Sequence, residues 1–202
     1  VLYMIEVKNL VKQYGEFRAV NDISFTIEEG KIYGFLGPNG AGKSTTMNMI
    51  TGYLSPTSGT VRVNGYDIAD EPEKAKSQIG YLPEIPPVYP DMTPQEYLTF
   101  AGELKKVPKK ELKAEVEQVM ELTGISHMRN RLIKNLSKGY RQRVGFSCAL
   151  LGNPKIIILD EPTVGLDPRQ IIEIRSLIQS LREKHTVILS SHILSEISAV
   201  CD

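Results

Sequence analysis

One segment of the chain has the composition and spacing of a phosphate-binding loop. Residues 37–45 read GPNGAGKST, which satisfies the pattern G-x-x-x-x-G-K-[ST]. Gly40 and Gly42 allow backbone turns that a side chain would block, so successive N–H groups can point at phosphate oxygens. Lys43 can reach the β- and γ-phosphates, and the hydroxyl of Ser44 is placed to bind Mg²⁺. The segment therefore predicts a site for a nucleoside triphosphate. The residues predicted to contact it are Gly37, Pro38, Asn39, Gly40, Ala41, Gly42, Lys43, Ser44 and Thr45.

Two adjacent carboxylates follow an apolar run further along the chain. Lys155–Leu159 is predicted to be a buried strand, and Asp160 and Glu161 come directly after it. Acids at the carboxyl end of such a strand project into the crevice where α/β sheets bind ligands. Asp160 would hold Mg²⁺, directly or through water, and Glu161 would accept a proton from an attacking water. The alternative is that both acids are simply exposed to water at the end of a strand and have no chemical role.

The elements around these residues alternate between strand and helix. The phosphate loop lies between a predicted strand, Lys31–Leu36, and a predicted helix, Ser44–Tyr53, whose positive end would face the anion. After the acids, the pattern predicts a helix at Pro168–Leu181, a strand at Thr186–Leu189 and a helix at Ser191–Val200. This spacing of strand, helix and strand predicts parallel strands joined by crossover helices.

The regions before and between these elements have different patterns. Residues 3 to about 82 alternate strand and turn signals, and a connector with five prolines, Pro83–Pro94, follows them. From Thr93 to about Leu151 the pattern is helical. Thr93 and Glu96 have the spacing of a capping box at the start of the first of these helices.

The totals exclude several classes of protein. Lys+Arg and Asp+Glu are both 24, so the formal net charge is zero. Nucleic-acid binders usually have a basic excess, so we expect no nucleic-acid partner. The longest uncharged apolar runs, such as Ile156–Leu159, are far shorter than the ~20 residues of a membrane span.

Three segments together resemble the ATP-binding-cassette (ABC) ATPases. Gly37–Thr45, Leu136–Arg143 (LSKGYRQR) and Ile156–Glu161 resemble the Walker A, signature and Walker B segments of that family, in the same order. Residues 162–168 (PTVGLDP) resemble its D-loop. The resemblance runs from about Met4 to the last residue, and it implies an ATPase that uses ATP and Mg²⁺.

The resemblance also implies a fold class and a division of the chain. The class is α/β: a P-loop NTPase core, mainly a parallel sheet with flanking helices plus an N-terminal antiparallel β subdomain, with an inserted all-helical subdomain. Residues 1–202 would form a single ABC ATPase domain, with the ATP-binding core in 1–84 and 152–202 and the helical signature subdomain in about 85–151. Members of the family continue with further strand and helix after this point, so we expect the chain to be a fragment that is truncated at its C-terminus.

Ser137 and Gly139 would bind a nucleotide held by a second copy. A helix start with Ser137 as its N-cap is an anion site in its own right. In the family this site faces the γ-phosphate of ATP on the partner, which gives two sandwiched nucleotides in a head-to-tail homodimer or heterodimer. Lys138 and Tyr140 depart from the commoner Gly and Gln at their positions and leave Ser137 and Gly139 in place. The alternative for Ser137 is that it caps a helix and does nothing more.

The resemblance implies roles for three further residues. His192 would contact the γ-phosphate and steady the water, and it would form the catalytic set with Glu161 and Lys43. Glu84 stands where the family has a glutamine that touches Mg²⁺, so a carboxylate would be a metal ligand here. Tyr14 resembles the aromatic residue that stacks on adenine. The alternatives are a structural histidine, a solvated loop glutamate and a core tyrosine.

The resemblance implies the ATP-binding subunit of a membrane transporter of the bacterial export type. Such a subunit would sit on the cytoplasmic face of the cell membrane and drive transport through a separate integral membrane permease. The segment expected to meet the permease is Ile85–Met92, in the connector.

Three other nucleotide-dependent functions are alternatives to transport. A soluble ABC-type ATPase acting on nucleic acid or ribosomes is the alternative, although the chain has no heptad array and only one cassette. A GTPase switch is opposed by the lack of an N-K-x-D motif. A regulator that binds nucleotide without hydrolysis is opposed by the presence of Glu161 and His192.

Overall fold

The computed structural model describes residues 3–202, which form two sheets and the helices around them. In chain order the strands are β1 (Tyr3–Tyr14), β2 (Phe17–Glu28), β3 (Ile32–Leu36), β4 (Ser58–Val63), β5 (Tyr66–Asp67), β6 (Ile79–Leu82), β7 (Ile156–Leu159) and β8 (Thr186–Ser191). The helices are α1 (Lys43–Ile50), α2 (Pro72–Ser77), α3 (Pro94–Leu104), α4 (Lys109–Leu122), α5 (Lys138–Leu150), α6 (Pro168–Leu181) and α7 (Leu194–Val200), with 3₁₀ turns at Ser126–Met128 and Ile133–Asn135.

The two sheets differ in the direction of their strands. The first has the order β2-β1-β4-β5, and all of its pairs are antiparallel. The second has the order β3-β8-β7-β6, and all of its pairs are parallel. The predicted fold class is therefore confirmed, with an N-terminal antiparallel sheet, a parallel sheet and flanking helices.

The carboxyl ends of the parallel strands lie together at one edge of their sheet. Leu36 at the end of β3 pairs with Ser191 at the end of β8, and Leu82 at the end of β6 pairs with Leu159 at the end of β7. The segments that follow these four ends are residues 37–45, 83–84, 160–161 and 192. Because parallel strands end on the same side, this edge collects residues that are far apart in the sequence.

Each face of the parallel sheet is covered by its own core cluster. Along β7 the side chains alternate, so that Ile156 and Ile158 pack toward the antiparallel sheet, while Ile157 and Leu159 pack toward the helices. A strand buried on both faces needs a continuous apolar run rather than an alternating one. This requirement explains why β7 reads IIIL.

The helical segment lies in the crossover between β6 and β7. It holds α3, α4 and α5, and the capping box predicted for the first of these is present: Glu96 N–H donates to Thr93 Oγ1, and Thr93 N–H donates to Glu96 Oε2. Helix α5 packs closely on β6 at Gly80, where a Cβ atom would lie 1.9 Å from the Ala149 carbonyl oxygen. Only glycine at position 80 allows the helix to approach the strand this closely.

Two predicted helices had wrong boundaries, and the strand predicted at Thr186–Leu189 extends to Ser191. The helix predicted at Ser191–Val200 begins only at Leu194, because Ser191 is the last residue of β8 and pairs with Leu36. The helix predicted at Ser44–Tyr53 begins at Lys43 and ends at Ile50.

No helix within residues 3–202 combines the length and the apolar composition that crossing a bilayer requires.

Candidate functional site

The phosphate loop turns sharply between β3 and α1. Gly40 and Gly42 have φ values of 82° and 91°, in the left-handed region that favours glycine. A Cβ atom on Gly42 would lie 2.5 Å from the carbonyl oxygen of Ala19, which belongs to β2. The loop is therefore held against the antiparallel sheet at a point where no side chain fits.

Lys43 joins the loop to the end of β7. Its ammonium donates hydrogen bonds to the carbonyl oxygens of Gly37, at 2.5 Å, and Pro38, at 3.0 Å. The same nitrogen lies 3.6 Å from Glu161 Oε1, and the two side chains are only 9% and 7% exposed. At this burial water screens the pair weakly, so the attraction between the two charges is stronger than on the surface.

Glu161 lies between Lys43 and His192. Its other carboxylate oxygen, Oε2, is 3.0 Å from His192 Nδ1. Its backbone has a φ of 47°, an unusual value for a residue with a side chain. Among the described residues, Oε1 is buried and has no hydrogen-bond partner. The geometry leaves one acceptor atom of Glu161 available to a ligand or a water.

Ser190 holds the two acids at the end of β7 in place. Its hydroxyl donates to Asp160 Oδ1 at 2.6 Å and accepts from the Glu161 N–H at 2.9 Å. Ser190 was not predicted from the sequence. The only feature of the sequence that pointed to Ser190 was the pair of serines before His192. Its contact with the two acids depends on how β8 lies beside β7.

The predicted metal ligands lie around one cavity, with one exception. Ser44 and Glu84 both line the cavity beside the phosphate loop, whereas Asp160 is buried and is not among its lining residues.

Tyr81, near Asp160, has a hydroxyl whose pKa is raised far above the usual range by burial, and the negative charge of Asp160 adds to this effect. Tyr81 therefore stays neutral and donates to Asn48 Oδ1 at 3.1 Å.

The cavity itself has a volume of about 400 Å³. Its lining residues come from the β1–β2 hairpin, the phosphate loop and the ends of β6 and β7: Tyr14, Phe17, Ala19, Asn39, Gly40, Gly42, Lys43, Ser44, Thr45, Glu84 and Glu161. Tyr14 is 50% exposed, which rules out the core position considered for it. Phe17, which is 63% exposed and pairs with Tyr14 across the hairpin, was missed. An aromatic residue directly after the Gly15-Glu16 turn was the available signal.

The predicted contacts for a second nucleotide lie elsewhere. Ser137 is the N-cap of α5, with its hydroxyl accepting from the Tyr140 N–H at 3.3 Å, and it is exposed. Gly139 is buried against α6, where a Cβ atom would lie 2.2 Å from Gln170 Nε2. Neither residue lines the cavity beside the phosphate loop. The structure therefore does not bring them to this cavity of their own chain.

The residues around the cavity fit a magnesium nucleotide. A loop with glycines at positive φ, a lysine and a helix start suit phosphates, and the cavity opens beside them. Within residues 3–202 no three His, Cys, Asp or Glu residues group closely enough to hold a metal alone. Mg²⁺ is commonly held by one or two carboxylates together with substrate phosphates and water, so a sparse set of ligands fits it.

Comparisons with known proteins agree with this geometry. The family model described as "ABC transporter" matches residues 20–164. The bacitracin transport ATP-binding protein BcrA of Bacillus licheniformis is 39% identical over 201 residues, which cover 98% of this chain and 65% of that protein. The chain thus spans somewhat less than two thirds of the length of this relative.

Two solved structures share the fold over nearly the whole chain. One is cbiO1 from Clostridium perfringens, described as part of the ABC transporter complex cbiONQ, with a TM-score of 0.88, 29% identity and coverage of 100% of this chain and 83% of that one. The other is an ATP-binding cassette in a dimeric, post-hydrolysis state bound to ADP and Pi, with a TM-score of 0.88, 27% identity and coverage of 98% and 91%.

Proposed function

Because the chain belongs to the ABC transporter family and is one of its ATPase domains, we propose that it binds and hydrolyses Mg-ATP to drive transport through a separate membrane permease. One observation carries the proposal. The Glu161 carboxylate lies 3.6 Å from Lys43 and 3.0 Å from His192, beside the cavity that the phosphate loop lines. The proposal is that this carboxylate, the ammonium and the imidazole would lie beside the γ-phosphate of a bound nucleotide.

The phosphate loop and the β1–β2 hairpin would hold the nucleotide. The N–H groups of residues 37–45 and the start of α1 would bind the phosphates, and Lys43 would turn from the loop carbonyls to the β- and γ-phosphates. Tyr14 would stack on the adenine, and the exposed Phe17 beside it offers a second aromatic surface.

Ser44, Asp160 and Glu84 would hold Mg²⁺, with Asp160 acting directly or through water. Bound Mg²⁺ neutralises charge on the phosphates during transfer. The carboxylate of Glu84, in place of a glutamine, would add negative charge to this site.

Glu161 would act as the general base. Its Oε1 lies 3.6 Å from the Lys43 ammonium but has no hydrogen-bond partner among the described residues, so this atom can accept a proton from a water placed for in-line attack. His192, held at the other oxygen, would donate toward the γ-phosphate and keep the carboxylate oriented. Lys43 would stabilise charge that develops on the phosphate oxygens.

A second copy or a related subunit would supply Ser137 and Gly139. Both residues lie outside the cavity of their own chain, so a head-to-tail dimer is needed to place them near a nucleotide. The solved structure described as dimeric and bound to ADP and Pi supports the formation of a dimer.

The permease would bind at the connector before α3. Ile85 is 83% exposed and Tyr89 is 49% exposed, and both belong to the segment Ile85–Met92. Contact there would place the protein on the cytoplasmic face of the membrane. The name of BcrA, a transport protein, favours transport over action on nucleic acid or ribosomes.

The mass of Glu161→Gln in solution, with and without Mg-ATP, tests the proposal. The variant keeps the shape of the side chain but removes the base, so hydrolysis should fall by about 10²–10⁴-fold and the ATP-bound dimer should persist. The expected result is a mass that doubles only when Mg-ATP is present.

The double variant Glu161→Gln with Ser137→Arg is the matched control. Ser137 is exposed, so the arginine should leave the fold intact, yet it would block the second half of each site. This control should bind ATP and remain a monomer. A Glu161→Gln protein that binds Mg-ATP and stays monomeric would contradict the homodimer, and an unchanged rate of hydrolysis would contradict the role of Glu161.

A further inference from the structure

Glu196 is a buried acidic residue that the proposed mechanism does not use. It lies in the first turn of α7 and is only 6% exposed. Thr163 Oγ1 donates to its Oε2 at 2.6 Å, and Ser191 Oγ donates to the same atom at 2.8 Å. Within residues 3–202 no lysine, arginine or histidine lies close enough to form an ion pair with it. Burying an acid is costly, so the two hydroxyl groups are what make this position tolerable.

The two hydroxyl groups come from segments that carry the proposed catalytic pair. Thr163 is two residues after Glu161, in the turn that leads to α6. Ser191 directly precedes His192 and ends β8. Parallel pairing fixes the strands only as far as their ends, and both catalytic residues lie beyond them. Ser190 holds Asp160 and the Glu161 backbone beside β8, and the Glu196 contact adds a second connection, between Thr163 further along that turn and Ser191 before His192.

Ser191 also connects this contact to the phosphate loop. Its carbonyl oxygen accepts from the Gly37 N–H at 3.3 Å, and its hydroxyl accepts from the Ile193 N–H at 3.0 Å. One carboxylate oxygen of Glu196 thus joins the segment after Glu161, the segment before His192 and, through Ser191, the start of the phosphate loop.

We propose that Glu196 is a positioning residue for ATP hydrolysis, which holds Glu161 and His192 at their 3.0 Å separation through Thr163 and Ser191. The inference rests on the proposed function, because it assigns Glu161 and His192 to the reaction. Since both hydroxyl groups donate to the same oxygen, the carbonyl oxygen of a glutamine can accept both bonds. The role therefore depends on hydrogen bonding and not on the negative charge.

Steady-state hydrolysis by the full-length protein tests this role. Glu196→Ala should lower kcat by about tenfold or more, because small misplacements of catalytic groups are costly, and should change KM for ATP by less than about threefold. Glu196→Gln should stay within about threefold of the wild-type kcat, since it keeps both bonds. Ser198→Ala, on the exposed side of the same helix, is the matched control and should change neither constant.

A second variant and a second measurement cover the cases in which the alanine variant does not fold or the wild type is inactive. Thr163→Val removes one bond and leaves the acid, so it should lower kcat in the same direction by a smaller factor. The NMR signals of the His192 ring, assigned with His192→Gln, should shift in Glu196→Ala or Thr163→Val and stay in place in Ser198→Ala. This readout needs no ATP.

The outcomes separate the two proposals. A wild-type protein without ATPase activity contradicts the proposed function, while the ring signals still test the position of His192. An active wild type with an alanine variant no slower than Ser198→Ala overturns the role of Glu196. Equal losses in Glu196→Gln and Glu196→Ala overturn it as well, because they would show that charge and not positioning is what matters.

Discussion

The two halves of the proposed nucleotide site are built in different ways. The phosphate-loop half lies at the edge of the parallel sheet, where Lys43 and Glu161 are almost entirely buried and are held by hydrogen bonds from three segments. The signature half lies at the start of α5, where Ser137 and Lys138 are exposed and only one side-chain cap is made. In the proposed site both halves would attract an anion with the start of a helix, but only the first has its surroundings fixed by the sheet.

This difference predicts that the two halves have different effects on stability, nucleotide binding and association. We expect the buried, hydrogen-bonded half to bind nucleotide in a single chain, because the sheet already holds its loop and its acidic residues. An exposed half gains a ligand only when another surface approaches it. The first half should therefore control stability and nucleotide binding, and the second should control association.

Lys43→Ala should have the largest effect on stability. It leaves the buried Glu161 without its cation, and breaking a buried pair in this way costs about 3–5 kcal/mol of unfolding free energy. Adding Glu161→Gln should restore part of the loss, because the remaining buried group is then neutral. Urea unfolding measures both, with Lys134→Ala, from an exposed ion pair with Asp91, as the control that should change little. A single variant as stable as the wild type would mean that the pair is not shielded from water.

The next largest effects are expected from alanine at Gly42 and Gly139, the glycines at the starts of α1 and α5, and the loss of stability should differ between the two. Gly42→Ala places a side chain at a φ of 91° and 2.5 Å from a backbone oxygen, so it should cost about 2–3 kcal/mol and abolish ATP binding. Gly139→Ala meets only the end of the Gln170 side chain, which also accepts from the Asp167 N–H, and should cost less, about 1–2 kcal/mol.

Thermal unfolding and titration with a fluorescent ATP analogue measure both glycine variants. Gln170→Ala on the Gly139→Ala background is the control and should remove the remaining steric conflict. Equal losses of stability and of ATP affinity in the two glycine variants would contradict the proposed difference between the halves.

Ser137→Ala should have the smallest effect on the single chain. Loss of the N-cap should destabilise α5 by about 1 kcal/mol, and the affinity of the monomer for ATP should stay the same, because Ser137 does not line the cavity. The dimer of the Glu161→Gln protein should in contrast weaken. A loss of ATP affinity in the monomer would show that the two halves are coupled within one chain.

Much of the fold and of the first half could be predicted from short stretches of sequence. The phosphate loop requires glycine at positions of positive φ, and β7 requires a continuous apolar run because both of its faces are buried. The capping box at Thr93 is likewise complete within four residues. Such requirements act between neighbours, so the order of residues records them directly.

Other features depended on which segments pack together. Phe17 reaches the cavity only because the β1–β2 hairpin lies beside the phosphate loop, and Ser191 continues β8 because Leu36 is there to pair with it. The boundary predicted at Ser191 was wrong for the same reason, since a local pattern does not include the partner strand.

The sequence by itself therefore determined the phosphate loop, the order of strands and helices and the family of the chain. Only the tertiary structure decided that Glu161 lies 3.0 Å from His192, that Ser190 holds both acids and that Glu196 joins the turns behind them. These contacts link residues about thirty positions apart across two neighbouring strands. Backbone requirements are local and leave a signature in the sequence, whereas a hydrogen bond between distant side chains exists only after the sheet has brought them together.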